Sequence, residues 1–171
     1  MSRSIIIQII LFFVYVLAQA LLFKNLVLFN NGFCFLYIAY ILLLPIETNS
    51  LALMIIGFLI GFSVDIFYNS LGLHALTTVF TGYVRNYWLR VITPQGGYDA
   101  GASPALAENG AQWFLVYTMP LVFVHHLILF LVESAGVALF WHSMMKSISS
   151  LLFTMTAMML IEYLVPGRRR I

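Results

Sequence analysis

The chain has 171 residues, of which 63% are hydrophobic and 8% charged, and its net charge is +2; the mean hydropathy is +1.01. Soluble domains are nearer half apolar and a quarter charged, so this composition excludes an ordinary soluble domain and assigns the chain to the membrane class. So small a net charge gives no ground for nucleic-acid binding, and the single cysteine, Cys34, excludes an internal disulfide and a cysteine-based zinc site.

A bilayer core of roughly 30 Å needs about 20 apolar residues per helix, and backbone polar groups in lipid must be satisfied internally, which leaves helices or closed barrels. Barrel strands would alternate apolar with polar residues, and the run LALMIIGFLIGF, 51–62, does not. The expectation is therefore an all-α, polytopic membrane protein, a six-transmembrane-helix bundle forming one integral-membrane domain over 1–171. The first helix covers about 5–23. With Arg3 before it and Ala18-Gln19-Ala20 inside it, it imitates a secretory signal. Everything downstream is membranous too, so it reads as a retained helix that stops at Lys24-Asn25. After an Asn30-Asn31-Gly32 turn comes a second helix, about 33–46, containing Pro45. As a helix it would span only about 21 Å, which is short for the bilayer.

Asn49 or Ser50 is placed to cap the third helix, about 51–68. A tight turn at Asn69-Ser70 leads into the fourth, about 71–92. The one real loop, 93–112, is rich in Gly, Ala and Pro. Within it Ser103-Pro104 reads as N-cap and first residue of a short helix ended by Gly110. The fifth helix is expected over about 113–137, with 136–142 available to extend it. The sixth is expected over about 147–165, stopped by Pro166-Gly167 ahead of Arg168-Arg169-Arg170. Six crossings put both termini on one side, together with Arg3, Arg85, Arg90 and the three terminal arginines, against Lys24 and Lys146 on the other. The positive-inside rule then makes both ends and the 93–112 loop cytoplasmic.

Ionisable residues at membrane depth are costly and usually face a protein interior with a partner. Asp65 lies near the outer end of the third helix and His74 one turn into the fourth, so the short turn between them favours a His–carboxylate pair. Glu133 lies at the same level. If it faces the same cavity, Asp65, His74 and Glu133 form an outer acidic pocket. Arg85 and Arg90 have long stems that can snorkel to the inner interface; Glu162 is a possible intramembrane ion-pair partner for Arg85. Neighbouring His125 and His126 point about 100° apart on a helix, so they make no metal-ligand pair by themselves. Interhelical hydrogen bonding by one and interior packing by the other is the expected arrangement. Tyr37, Tyr40, Tyr83, Tyr87, Trp88, Trp113 and Tyr117 read mostly as interfacial aromatics. No motif for catalysis, cofactor or metal binding is present, so no cofactor, no metal and no catalytic residue is expected. Gly57 and Gly61, four apart on one helical face, invite close approach by another helix.

Around this hairpin the sequence resembles the rod shape-determining protein MreD family of bacteria. The resemblance is carried by Gly57-x-x-x-Gly61, Asp65, Leu71-Gly72, Ala75-Leu76 and Tyr83, together with the length. It implies a non-catalytic scaffold of the inner membrane that works in cell elongation and peptidoglycan synthesis. The implied partners are MreC and, directly or not, MreB, RodA and penicillin-binding synthases. It also implies partner-packing or structural roles for Gly57, Gly61, Asp65, Leu71, Gly72, His74 and Tyr83. The implied fold is similar to the substrate-binding components of vitamin transporters. A small-molecule binding component of a transporter is accordingly the alternative reading.

Overall fold

The computed structural model describes residues 3–28, 31–134 and 139–164, with side chains from Ile5 onward. The side chain of Arg3, the Asn30 turn residue, the 135–137 end expected for the fifth helix, the Pro166-Gly167 stop and the terminal arginines lie outside the described residues. The chain is mostly helical, as expected. Among the described residues four helices, not six, are long and apolar enough to cross a membrane: Ile5–Phe23, Ser50–Tyr68, Leu106–Glu133 and Phe140–Leu164.

The first helix, α1 (Arg3–Ala18), widens into a π-helical turn, Gln19–Phe23. Only 11% of this span is buried, so it lies at the edge of the bundle with its isoleucines outward. A small antiparallel hairpin, β1 (Val27–Leu28) with β2 (Gly32–Phe33), then turns the chain back.

The greatest departure from expectation is at 33–46. It is not one helix: α2 is only Ile38–Leu42, flanked by non-helical backbone on both sides. Turns flank it at Leu36-Tyr37 and at Leu43, and the Ile38, Ala39 and Tyr40 N–H groups bond three residues back, to Phe35, Leu36 and Tyr37. On one side Pro45 disfavours helix at the residue before it. The segment runs from one end of the bundle, where Phe33 packs on Phe130, to the other, where the Ile46 N–H bonds to the Ala102 carbonyl at 3.1 Å. It forms the axis of the molecule. Leu36, Ile38 and Leu42 face a core shared with Phe114, Leu121 and Met155. Tyr37 and Ile41 face a second core with Leu53, Ile60 and Val64.

α3 (Ser50–Tyr68) is capped by Asn49, whose side chain accepts from the Leu51 N–H at 2.8 Å, one of the two caps anticipated. It ends at Asn69, whose backbone is left-handed (φ 53°). Gly72 is left-handed too (φ 84°), which moves the start of α4 (Leu73–Val91) two residues beyond the expected position. α5 (Leu106–Glu133) starts well before residue 113 and is broken at Gly110 (φ 79°, ψ 163°), so the short leading helix does end where expected. Its cap, however, is Ala105, not Ser103. The Ser103 N–H instead donates to Glu108 at 3.1 Å, and the Ser103 hydroxyl accepts from the Ala105 N–H at 3.3 Å. α6 (Phe140–Leu164) begins earlier than residue 147 and takes in His142, so that residue does not extend α5. Ser143, bonded to the Phe130 carbonyl at 3.2 Å, ties the start of α6 to the end of α5.

Candidate functional site

The hairpin formed by α3 and α4 is locked at its closed end by Asp65. Its Oδ1 accepts from the Ser70 hydroxyl (2.6 Å), the His74 N–H (3.0 Å) and His74 Nδ1 (2.9 Å). Its Oδ2 accepts from the Ala75 N–H at 2.9 Å. His74 and Ala75 are the second and third residues of α4, whose first N–H groups have no partner within the helix. Asp65 therefore acts as an N-cap supplied by the preceding helix, with the positive end of the α4 dipole favouring its charge. The expected His–carboxylate pair is present, 2.9 Å apart, with both side chains buried. It is one of four contacts that saturate the acid.

Below this lock the two helices touch backbone to backbone. A Cβ added at Gly61 would lie 2.5 Å from the Ala75 Cα and 2.6 Å from the His74 carbonyl oxygen. One at Gly57 would lie 3.0 Å from the Thr78 carbonyl oxygen, and one at Gly82 3.1 Å from that of Leu53. The notch expected to admit another helix thus admits α4 of the same chain, and Gly82 completes it from the other side. Leu71 is fully exposed at the turn and Tyr83 is exposed on α4, its hydroxyl 3.3 Å from that of Tyr87.

From the lock a line of polar groups enters the core. Nδ1 of His74 is bonded to the carboxylate, so it carries the proton; Nε2 is buried without a hydrogen-bond partner, facing the rings of Tyr68, Phe35 and Tyr37. The Tyr37 hydroxyl is 2.8 Å from His125 Nε2, and Thr77 Oγ1 is 3.2 Å from the same atom. His125 Nδ1 meets His126 Nδ1 at 3.2 Å, and His126 Nε2 meets Thr154 Oγ1 at 3.0 Å. Protons placed in one direction along Tyr37, His125, His126 and Thr154 give every nitrogen a role with both histidines neutral. Both histidines are hydrogen-bonded, where only one was expected to be. Among the described residues no group of three His, Cys, Asp or Glu side chains is arranged to hold a metal.

The same side chains answer the question raised by the broken segment. Irregular backbone at membrane depth persists only where protein satisfies it. The Phe33 N–H donates to Ser150 Oγ at 2.9 Å, the Phe35 N–H to Thr154 Oγ1 at 3.1 Å and the Tyr37 N–H to Gln19 Oε1 at 3.3 Å. Gln19 Nε2 donates to the Cys34 carbonyl at 3.0 Å and also reaches the Tyr68 hydroxyl at 2.7 Å. At the other end Arg85 Nη2 donates to the carbonyls of Leu42, Leu44 and Pro45, and the Tyr117 hydroxyl donates to Leu42 at 2.8 Å. Arg85 Nε donates to Tyr117 at 2.6 Å.

Three expectations are corrected here. Arg85 does not snorkel: it is wholly buried, its guanidinium turned inward onto the carbonyls of the 33–46 segment and the Tyr117 hydroxyl. It makes no ion pair with Glu162, whose Oε2 instead accepts the Leu106 N–H at the start of α5, at 3.0 Å. Nor is the outer pocket formed. Asp65 and His74 are buried against each other while Glu133 is exposed, so the transporter-component reading loses the site it was built on. A further set, Tyr37, Tyr40 and Tyr117, expected at the interface, is buried as well. Arg90 does stay outside, its guanidinium 4.8 Å from the Tyr87 ring centre.

Gln19 and Thr154 carry the network yet have no motif of their own, and Tyr37 carries it from a position read as interfacial; the signal in the sequence was the shortness of 33–46 as a bilayer helix. Pro120 has a similar consequence. It cannot bond the Val116 carbonyl four residues back, and Trp88 Nε1 donates to that carbonyl instead, at 3.1 Å. Comparison of the chain with protein-family models, with curated proteins and with solved structures yields no match.

Proposed function

We propose that the chain is a non-catalytic scaffold of the bacterial inner membrane, similar to MreD, which binds MreC and helps couple peptidoglycan synthesis to cell shape. In this reading the chain crosses the bilayer six times, with α4 and the irregular 33–46 segment joining the four apolar helices, and both ends are cytoplasmic. The observation that carries the reading is the division of labour within the hairpin. The residues of the MreD resemblance divide: Gly57, Gly61, Asp65 and Ala75 are buried in the lock, while Leu71, Leu76 and Tyr83 face outward. A rigid hairpin with an apolar outer face, including Phe58, Phe62 and Leu76, suits helix packing in lipid, where van der Waals contact drives association. The buried polar groups support a non-catalytic role as well, since their hydrogen bonds go to holding an irregular crossing segment and two helix ends.

The test is affinity purification from gently solubilised membranes of a rod-shaped bacterium carrying the tagged chain, combined with depletion. MreC should co-purify, and depleted cells should round up. Double substitution of Leu71 and Leu76 by Ser should reduce MreC recovery without lowering the amount of chain in the membrane. Recovery of an ATPase module with a tightly held small molecule, and no MreC, would replace this reading with the transporter component.

A further inference from the structure

Where α1 stands at the edge of the bundle it leans on α2 and α3 and leaves its α6 side open. The gap is a groove of about 580 Å³, walled by apolar side chains such as Leu11, Val14, Leu22 and Leu36. Of its polar residues, Ser103 and Glu162 lie at the end where α6 finishes and α5 begins, while Gln8, Tyr15 and Tyr40 line it from α1 and α2. Glu162 is more than nine-tenths buried. One of its oxygens takes the Leu106 N–H, and the other lines the groove with no hydrogen-bond partner among the described residues. Among the described residues the buried side-chain atoms left unpaired are His74 Nε2 and Trp113 Nε1, so the free Glu162 oxygen opens on the groove, where it can meet a donor. The Ser103 hydroxyl accepts from the Ala105 N–H and retains its own proton for an acceptor.

We propose that this groove binds a glycerophospholipid whose head group carries a protonated amine, with the ammonium on the free oxygen of Glu162 and one acyl chain along α1. Three features select that occupant. The site is amphipathic along its length, with a carboxylate at the helix ends and mostly apolar side chains beyond. The charge at its polar end is negative, which attracts an ammonium and repels a purely anionic head. At about 580 Å³ the groove has room for one slender acyl chain, with the rest of the lipid outside it. Lipid tails bathe the open side of α1 and reach the groove laterally. The inference does not rest on the scaffold reading and survives if that reading fails.

The experiment places the purified full chain in nanodiscs of phosphatidylethanolamine and phosphatidylglycerol in equal parts, then counts retained lipid by native mass spectrometry. The wild-type chain should retain phosphatidylethanolamine in preference to phosphatidylglycerol. Glu162→Gln keeps an oxygen for the Leu106 N–H and should leave the melting temperature unchanged, but should reduce that preference about tenfold, or about 1.4 kcal/mol. Ala18→Phe, which fills the groove, should abolish retention of both lipids. Absence of retained lipid on the wild-type chain, equal retention of the two classes, or an unaltered preference in Glu162→Gln would overturn the proposal. So would efficient disulfide cross-linking of two copies through Ala18→Cys, which would make the groove a protein interface.

Discussion

Replacing Asp65 by Asn tests whether the acid is a helix cap or a group held in reserve for chemistry. The carboxylate receives four donors: three on Oδ1 and the Ala75 N–H on Oδ2. An amide offers only one acceptor oxygen. Oriented for least damage, Asn keeps the three bonds to Ser70 and His74 and turns its NH₂ toward the Ala75 N–H, leaving that donor unsatisfied in the interior. A buried unpaired donor costs about 1–3 kcal/mol, and loss of the charge at a helix N-terminus adds about 0.3–1 kcal/mol. The expected destabilisation is therefore about 1–4 kcal/mol. Asp65→Glu, which retains the charge but adds a methylene between closely packed helices, should lose about 1–3 kcal/mol through overpacking. Reversible unfolding in mixed micelles, followed by circular dichroism, measures both. Hydrogen exchange should place the loss in the first turn of α4. An Asp65→Asn protein within about 0.5 kcal/mol of wild type, a value typical of surface substitutions, would refute the capping argument.

Further expectations follow from the same contacts. Gly61→Ala should cost about 1–3 kcal/mol, because its new methyl meets the α4 backbone, while Gly57→Ala, whose nearest contact is 3.0 Å, should cost less in the same unfolding assay. Arg85→Lys keeps the charge but gives up the planar fork that reaches Tyr117 and three carbonyls together. It should lower stability by about 2–3 kcal/mol, and Arg85→Met by more, as judged by unfolding midpoints and membrane levels. Trp88→Phe should cost about 0.5–1.5 kcal/mol in the wild-type chain and nearly nothing in a Pro120→Ala background, where the helix bonds its own Val116 carbonyl. Absence of that coupling in a double-mutant cycle would sever the Trp88–Pro120 link.

The strongly apolar elements were legible from sequence because a membrane span is defined by run length and composition, which neighbours do little to alter. The hairpin was legible for a related reason: a very short turn brings Asp65 and His74 together whatever the rest of the bundle does. The 33–46 segment was not. Its run of apolar and aromatic residues is compatible with a short buried helix or with extended backbone, and periodicity does not separate these. What decides between them is the presence of Gln19, Ser150, Thr154, Tyr117 and Arg85, up to 121 residues apart in sequence from the groups they satisfy. Arg85 and Glu162 were paired on charge alone, yet each met a nearer neutral partner: a set of free carbonyls for the base and a helix N-terminus for the acid. Long-range hydrogen bonding overruled Coulombic intuition in both cases.

That pattern bears on how the chain is used. An irregular buried segment needs side-chain donors and acceptors, and the helices around it supply them from Gln19, the α4 threonine and arginine positions, the histidine pair and the α6 hydroxyls. This explains why α4, as long as α3, is too polar to count among the apolar spans: its inward face is given over to polar contacts rather than to lipid. A helix committed in this way cannot rotate or slide without breaking several buried bonds at once. Each broken bond costs about 1–3 kcal/mol, so the α3–α4 hairpin and the segment it grips should move as one body. A partner in the bilayer then meets a fixed apolar face on the outside of the hairpin, and adjustment on binding falls to α1, which is held by the fewest buried residues of the apolar spans. Hydrogen exchange in a lipid bilayer should accordingly show α1 protected least and α4 most, and equal protection of the two would remove the reason for treating the hairpin as the rigid element.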